Sequence, residues 1–288
     1  MIVRRNALLP ALLALAATAC GQSEPSPPAK PALWEITGPQ GTEGYLFGTI
    51  HALPDDARWD TPRMDAAFED SDVLVVEIAD FDVAQVFARL ATTRGSGPLS
   101  ARVSPRLRGD MAALSDSLGG IEPRFVDMED WAAALTLASL LSESDPENGV
   151  DRALIDRAGS AKPVRELEGA EAQLRMFDTM PAAQQRALLD SVVEDYADGA
   201  TQDDELRDYW LAGDMEAIRR DLAKDIARHP ELYRRLMSDR NIAMDRKLAP
   251  MLARAPKPFV AVGAAHMVGE TGLPALLARR GYTVSRIQ

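Results

Sequence analysis

Apolar positions follow two different rhythms along the chain. Toward both ends they form short unbroken runs of strand length, and through the middle they recur every three or four residues. Leu33–Ile36 and Tyr45–Ile50 flank a turn rich in Gly, Pro and Gln, which predicts a β-hairpin. Val73–Ile78 and Phe259–Val262 are continuous apolar runs, as expected of strands covered on both faces. Lys162–Leu167 and Tyr282–Ile287 are shorter strand candidates. Helical spacing runs through Pro105–Leu118, Asp127–Ser142, Val150–Ala158, Pro181–Tyr196, Asp203–Ala212 and Asp214–Ala227, and through a long stretch from Pro230 to about Leu252. Ser104 before Pro105, the Asp203–Asp204 pair and Gly213–Asp214 are residue types that start helices.

Strands at the two ends of a chain need ladder partners, and helices cannot supply them. The predicted class is therefore α/β (α+β). Its central β-sheet is formed by N- and C-terminal strands, with a large helical insertion between them. No second Pro-rich break interrupts the chain after the first, so residues 32–288 are expected to form one domain.

Composition narrows the partners. The chain has 288 residues and 46% hydrophobic content, enough for a sizeable core. Its net charge of −12 repels phosphate backbones, which excludes nucleic acid as an expected partner. The N-terminus carries a different signal. Arg4 and Arg5, the apolar stretch from Ala7 to Ala17, and Ala17-Thr18-Ala19 before Cys20 follow the order of a secretory signal peptide. Cys20 is the only cysteine and stands where a bacterial lipoprotein accepts its lipid, although Leu is more usual at the place of Ala17. Residues 1–19 are thus expected to be removed. Residues 20–31, with Pro25, Pro27, Pro28 and Pro31, would act as lipid anchor and tether. Gly21, where aspartate would signal inner-membrane retention, points to an outer-membrane lipoprotein facing the periplasm. The other outcome is ordinary cleavage, giving a soluble periplasmic or secreted protein. Trp131–Leu141 is too short to span a bilayer and reads as a core helix.

Of the three histidines, two close the same local pattern. Gly48-Thr49-Ile50-His51 and Gly263-Ala264-Ala265-His266 each deliver an imidazole at the carboxyl end of an apolar strand. A glycine three residues earlier lets another group approach closely. Glu77 ends a third apolar strand, where a carboxylate is costly unless it is paired or bound to a metal. Ligands of α/β sheets bind at the carboxyl ends of strands. Two imidazoles and a carboxylate suit a divalent transition metal such as Zn, Mn, Co or Fe, whereas calcium and magnesium prefer oxygen shells. Solvated or structural strand-end histidines are the plainer alternative.

These motifs, in this order, resemble those of the TraB/GumN family. The resemblance rests on Tyr45–Pro54, Leu74–Ile78, Val260–Gly269 and Gly272-Leu273, and extends over nearly all of residues 32–288. The family is marked by two GxxH motifs and a glutamate on the strand after the first, positions matched by His51, His266 and Glu77. It is similar to the animal Wnt-inactivating Tiki proteins, and that branch implies a metal-dependent peptidase. The resemblance implies His51, His266 and Glu77 as metal ligands, with Glu77 either a ligand or the base that takes a proton from water. Arg240-Asn241 looks like the family's Arg-Asn pair, and Arg240 would hold Glu77 or bind a substrate carboxylate.

The remaining candidates are weaker. Glu168 could add a carboxylate to the site. His229 lacks the GxxH pattern and is expected to be structural, Asp55 and Asp56 belong to a solvated turn, and Met237, Met244 and Met251 are core residues. The expected activity is metal-dependent hydrolysis of a peptide or protein substrate, with the membrane engaged through lipid on Cys20. The competing function is non-catalytic capture of a peptide, a metal or haem by a periplasmic lipoprotein. A purely structural envelope protein leaves the strand-end histidines unexplained.

Overall fold

The computed structural model describes residues 29–54, 57–81, 83–142, 145–199, 202–254 and 256–288. The expected signal segment, Cys20, most of the tether, and Asp55 and Asp56 lie outside the described residues. Among the described residues, no helix is long and apolar enough to cross a membrane.

Six strands form one mixed sheet: β1 (Leu33–Gly38), β2 (Gly41–Thr49), β3 (Val73–Val76), β4 (Val164–Glu166), β5 (Pro258–Gly263) and β6 (Thr283–Arg286). Their order is β4-β3-β5-β2-β1-β6. The hairpin β1–β2 is antiparallel, as its turn predicts, and β6 pairs antiparallel with β1 at the edge. The four strands β4, β3, β5 and β2 run parallel. Strand β5, from the C-terminal part of the chain, is thus inserted between β2 and β3, which joins strands from both parts of the chain in one sheet. This is the α/β architecture read from the sequence.

Both faces of β3, β5 and the second half of β2 are covered, which explains their unbroken apolar runs, whereas the edge strand β4 is largely exposed. Leu74, Val76, Phe259 and Ala261 point to one side, where Phe68, Leu154 and Trp210 pack on them. Val73, Val75, Val260 and Val262 point to the other, against Met244, Leu248, Leu273 and Leu277. Met244 is fully buried and Met251 packs beside it, as the sevenfold spacing suggests, while Met237 is only half-buried. A separate helical cluster of Leu99, Met111, Leu137, Leu189 and neighbours fills the insertion.

The helices depart from the sequence pattern in instructive ways. The stretch from Pro105 begins as a 3-10 turn, Pro105–Leu107, before the helix Arg108–Ser117. Ser104 does not cap it; its backbone N–H and hydroxyl both donate to Asp190 of another helix. Asp214 does cap, accepting from the Ala217 N–H at 2.9 Å. The long C-terminal stretch is the short helix Pro230–Tyr233, a π-helical turn at Arg234–Ser238 and the helix Asp239–Leu252. Helices at Pro62–Glu69, Ala84–Ala91, Ala170–Asp178 and Leu273–Arg279 have no counterpart in the sequence reading. Each is seven to nine residues long, about two turns, which leaves few positions to carry a helical period.

Candidate functional site

Strand register brings three motif residues to one edge of the sheet. Thr49 pairs with Gly263, and Val76 pairs with Ala261. The residues just beyond these pairs therefore emerge together at the carboxyl ends of three adjacent parallel strands. Glu77 follows β3 directly. His51 stands two residues past β2, in a bend, and His266 lies on the 3-10 turn Ala264–Met267 rather than on the strand itself.

The two histidines are oriented from behind. His51 Nδ1 lies 2.8 Å from Asp151 Oδ2. A carboxylate only accepts, so Nδ1 carries the proton and Nε2 faces the site. Asp151 is fixed in turn by Thr49, whose hydroxyl donates to Oδ1 at 2.9 Å. His266 Nδ1 is hydrogen-bonded to Asn241 Oδ1, so its Nε2 also faces the site, 3.7 Å from Glu77 Oε1. Crowding by neighbours disfavours the His51 cation, but Asp151 outweighs this and pushes the pKa up to about 9. The His51 side chain remains 69% exposed at the mouth of a cleft, so water still reaches it. His266 is buried, and that burial pushes its pKa down to about 4, so its ring is neutral near pH 7.

Glu77 is buried and held on both oxygens. Oε1 accepts the Gly263 backbone N–H at 2.7 Å, and Oε2 accepts from Arg240 Nη2 at 2.5 Å. Burial works against the carboxylate, but His266, Arg240, His51 and the Gly263 N–H overcome it and bring its pKa down to about 2. Arg240 also donates to Glu168 through Nε at 2.9 Å and Nη2 at 2.6 Å. One guanidinium thus bridges two acidic side chains, and Gln173 reaches Glu168 at 3.3 Å from the side. The π-helical turn lies one residue before Arg240 and Asn241, the consecutive pair that reaches Glu77 and His266 respectively.

The motif glycines serve close approach, as their spacing suggests. A Cβ at Gly48 would stand 3.3 Å from Cα and Cβ of Ala264, on the turn that carries His266. A Cβ at Gly263 would stand 3.3 Å from Glu77 Oε1 and 3.6 Å from both His51 Nε2 and His266 Cδ2. The small volume above Gly263 is therefore where the three side chains meet. The Gly48 carbonyl is held by Trp210 Nε1–H at 2.8 Å, a bond from the helical insertion to the first motif.

A cleft of about 270 Å³ opens beside this point, lined by His51, Glu77, Ile78, Phe81, Asp151 and Arg152 among others. Of the weaker candidates, Glu168 belongs to the site through Arg240. His229 does not; it contacts Glu194 at 3.3 Å and lines a different cavity. Asp151 and Gln173 were not apparent from the sequence. Asp151 sits in the first turn of the helix Val150–Ala158, where an acidic residue is ordinary. Only its distant partner His51 reveals its role.

A model of the TraB/PrgY/gumN family matches residues 32–286. The chain belongs to the TraB/PrgY/gumN family. It is also similar to proteins named "Uncharacterized protein YbaP" from Shigella flexneri and Escherichia coli (strain K12). Each is 29% identical over 247 residues, covering 84% of this chain and 90% of the relative. No solved structure matches the chain.

Whether this TraB/PrgY/gumN chain can hold a metal is tested by its donors. Two imidazoles and one carboxylate oxygen border the space above Gly263, His51 through Nε2 and His266 through Cδ2, with His266 Nε2 turned toward Glu77. Ligands of a tetrahedral zinc, at about 2.0–2.1 Å from the ion, stand roughly 3.3 Å apart. The 3.7 Å between His266 Nε2 and Glu77 Oε1 is close to that. The donor chemistry fits. As they stand, however, no three His, Cys, Asp or Glu side chains among the described residues close into a metal cage.

Proposed function

We propose that this chain is a metal-dependent hydrolase of peptide bonds, tethered in the bacterial envelope through Cys20. The observation that carries the proposal is the meeting of His51 Nε2, Glu77 Oε1 and His266 above Gly263. Both imidazoles are oriented through Nδ1 by a buried polar partner, an arrangement that fixes the tautomer of metal-binding histidines. His51 and His266 would hold the ion through Nε2, and Glu77 through a remaining lone pair of Oε1. When bound, a zinc, manganese, cobalt or iron ion supplies Lewis acidity toward a substrate carbonyl. Glu77 fits the role of ligand better than that of base. Its carboxylate is held ionised beside both imidazoles, with Oε1 next to His266 Nε2 at 3.7 Å, the position a ligand needs. Arg240 keeps Glu77 ionised and placed, and Asp151 and Asn241 keep the rings aimed.

The competing function, non-catalytic capture of a peptide, is favoured by one feature: Glu77 is already paired with Arg240, which satisfies its charge without an ion. Two measurements separate the alternatives. The purified protein is expected to bind one equivalent of a divalent transition metal and to cleave members of a peptide library, with activity removed by a chelator. His51→Ala is expected to abolish both while leaving the melting temperature nearly unchanged. Micromolar titrations with Zn, Mn, Fe and Co that all show no binding would sink the metal assignment. Metal binding with peptide capture but no hydrolysis would establish the capture function. Mass spectrometry of the mature N-terminus tests the anchor: an unmodified Cys20 or an intact Met1 refutes it.

A further inference from the structure

Arg240 and Arg152 stand at the two sides of one question: which cation meets the substrate. Arg240 fits its fork to Glu77 and Glu168, so it is committed to the protein's own carboxylates. Arg152 lines the cleft itself, together with His51 and one residue after Asp151. Its guanidinium carbon lies 4.4 Å from the centre of the Phe81 ring, in a cation–π stack that holds the planar fork in place. Its acidic neighbour Glu147 is 3.4 Å away and largely exposed, a pair of the kind that contributes little and is readily exchanged. The position is also unfavourable for the helix: Arg152 sits in the first turn of Val150–Ala158, where the helix dipole opposes a cation. A guanidinium stacked on an aromatic ring, turned into a cleft and held where its own helix disfavours it, has the attributes of a carboxylate receptor.

We infer that Arg152, stacked on Phe81, binds a carboxylate of the peptide substrate in the cleft beside the His51–Glu77–His266 site, with an apolar substrate side chain lying on Phe81 and Ile78. This rests on the peptide-hydrolase proposal for its chemistry, but it concerns binding and can be tested without turnover. The carboxylate is either the C-terminus of a peptide or a Glu or Asp side chain, and the two sources are separable.

The test uses fluorescent hexapeptides of one Leu- and Phe-containing sequence in four forms: C-terminal acid or amide, each with an internal Glu or Gln. Binding is measured by anisotropy, and cleavage by mass spectrometry, for the mature protein with zinc and with manganese. The carboxylate-bearing forms are expected to bind about tenfold or more tighter than the amide–Gln form, in keeping with a charge-assisted hydrogen bond. Which single replacement removes the gain identifies the carboxylate. Arg152→Gln is expected to erase the preference while leaving binding of the amide–Gln form within about twofold. Arg152→Lys keeps the charge, loses the planar fork and is expected to retain only part of the preference. Circular dichroism of both variants controls for folding. For cleaved peptides, Arg152→Gln raises KM for the acid forms and leaves kcat within about twofold, the pattern of lost uniform binding. Equal binding of all four forms, absence of binding by any of them, or an unaltered preference in Arg152→Gln overturns the inference. Cleavage without a carboxylate preference rejects it and leaves the hydrolase proposal standing. A preference lost in Arg152→Gln, with no cleavage, upholds it while rejecting hydrolysis.

Discussion

The Gly263 backbone N–H donates to Glu77 Oε1 across 2.7 Å, tying β5 to the residue that follows β3. The same glycine has φ −48° and ψ 136°, a conformation open to any residue. Its glycine identity therefore answers to space rather than to backbone strain. Three functional side chains face the volume a Cβ would enter.

Gly263→Ala separates folding from function. The new methyl would press on Glu77 Oε1 at 3.3 Å and partly fill the meeting point of the two histidines. The expected result is a folded protein, destabilised by about 1–3 kcal/mol, as is typical of overpacking. Its metal affinity should fall at least tenfold. Urea unfolding and zinc titration of the same sample check this; unchanged metal affinity would show that the ion, if any, sits elsewhere.

Arg240→Ala leaves Glu77 and Glu168 facing each other without their shared cation. Removing one partner of a buried ion pair typically costs about 3–5 kcal/mol, because the abandoned charge stays desolvated. Arg240→Ala is expected to lose that much in denaturant unfolding, and adding Glu168→Gln to recover part of it. A loss below about 1 kcal/mol would mean that the carboxylates relax to solvent.

The acid dependence of the metal-free protein follows from Glu77. Its folded pKa of about 2 is below the ordinary 4.5, so the unfolded chain takes up the proton first as pH falls. Its stabilising contribution is fully present above pH 4.5 and is lost as pH falls toward 2. The stability gap between the wild type and Glu77→Gln should be several kcal/mol at pH 7, constant down to about pH 5, and should shrink progressively below. Unfolding curves at pH 7, 5, 4 and 3 test it; a gap that widens on acidification contradicts the assignment.

Asp151 is expected to control His51 from behind. In the metal-free wild type the His51 ring should titrate near 9. Asp151→Asn removes the carboxylate that does most to raise it, so the midpoint should fall toward the ordinary histidine region of about 6.5. NMR of labelled histidine side chains checks this, with the buried His266 expected to titrate well below His51. The same variant is expected to bind metal more weakly even where its His51 is neutral, since the ring is no longer aimed.

Much of this protein is written locally. The apolar runs at Tyr45–Ile50, Val73–Ile78 and Phe259–Val262 are buried on both faces, so hydrophobicity alone marks them as central strands. The repeated glycine-to-histidine spacing and the strand-end Glu77 were legible because each is a short stretch of chain with unusual chemistry, whereas the Arg240-Asn241 pair stood out only through the family resemblance. The insertion of β5 between β2 and β3 was not legible, because strand order depends on which edges meet after more than a hundred intervening residues have folded. Nor was Asp151, which in sequence is an ordinary helix-start acid and in space lies 2.8 Å from a histidine a hundred residues away. The partners of Arg240 were also visible only in three dimensions: Glu77 and Glu168 follow separate strands, β3 and β4, and both accept from its fork. Local sequence determines which side chains are costly to bury and which segments are rigid enough to carry them. Only tertiary packing decides which of those costs are met by one another, since charge pairing acts across space and carries no trace along the chain.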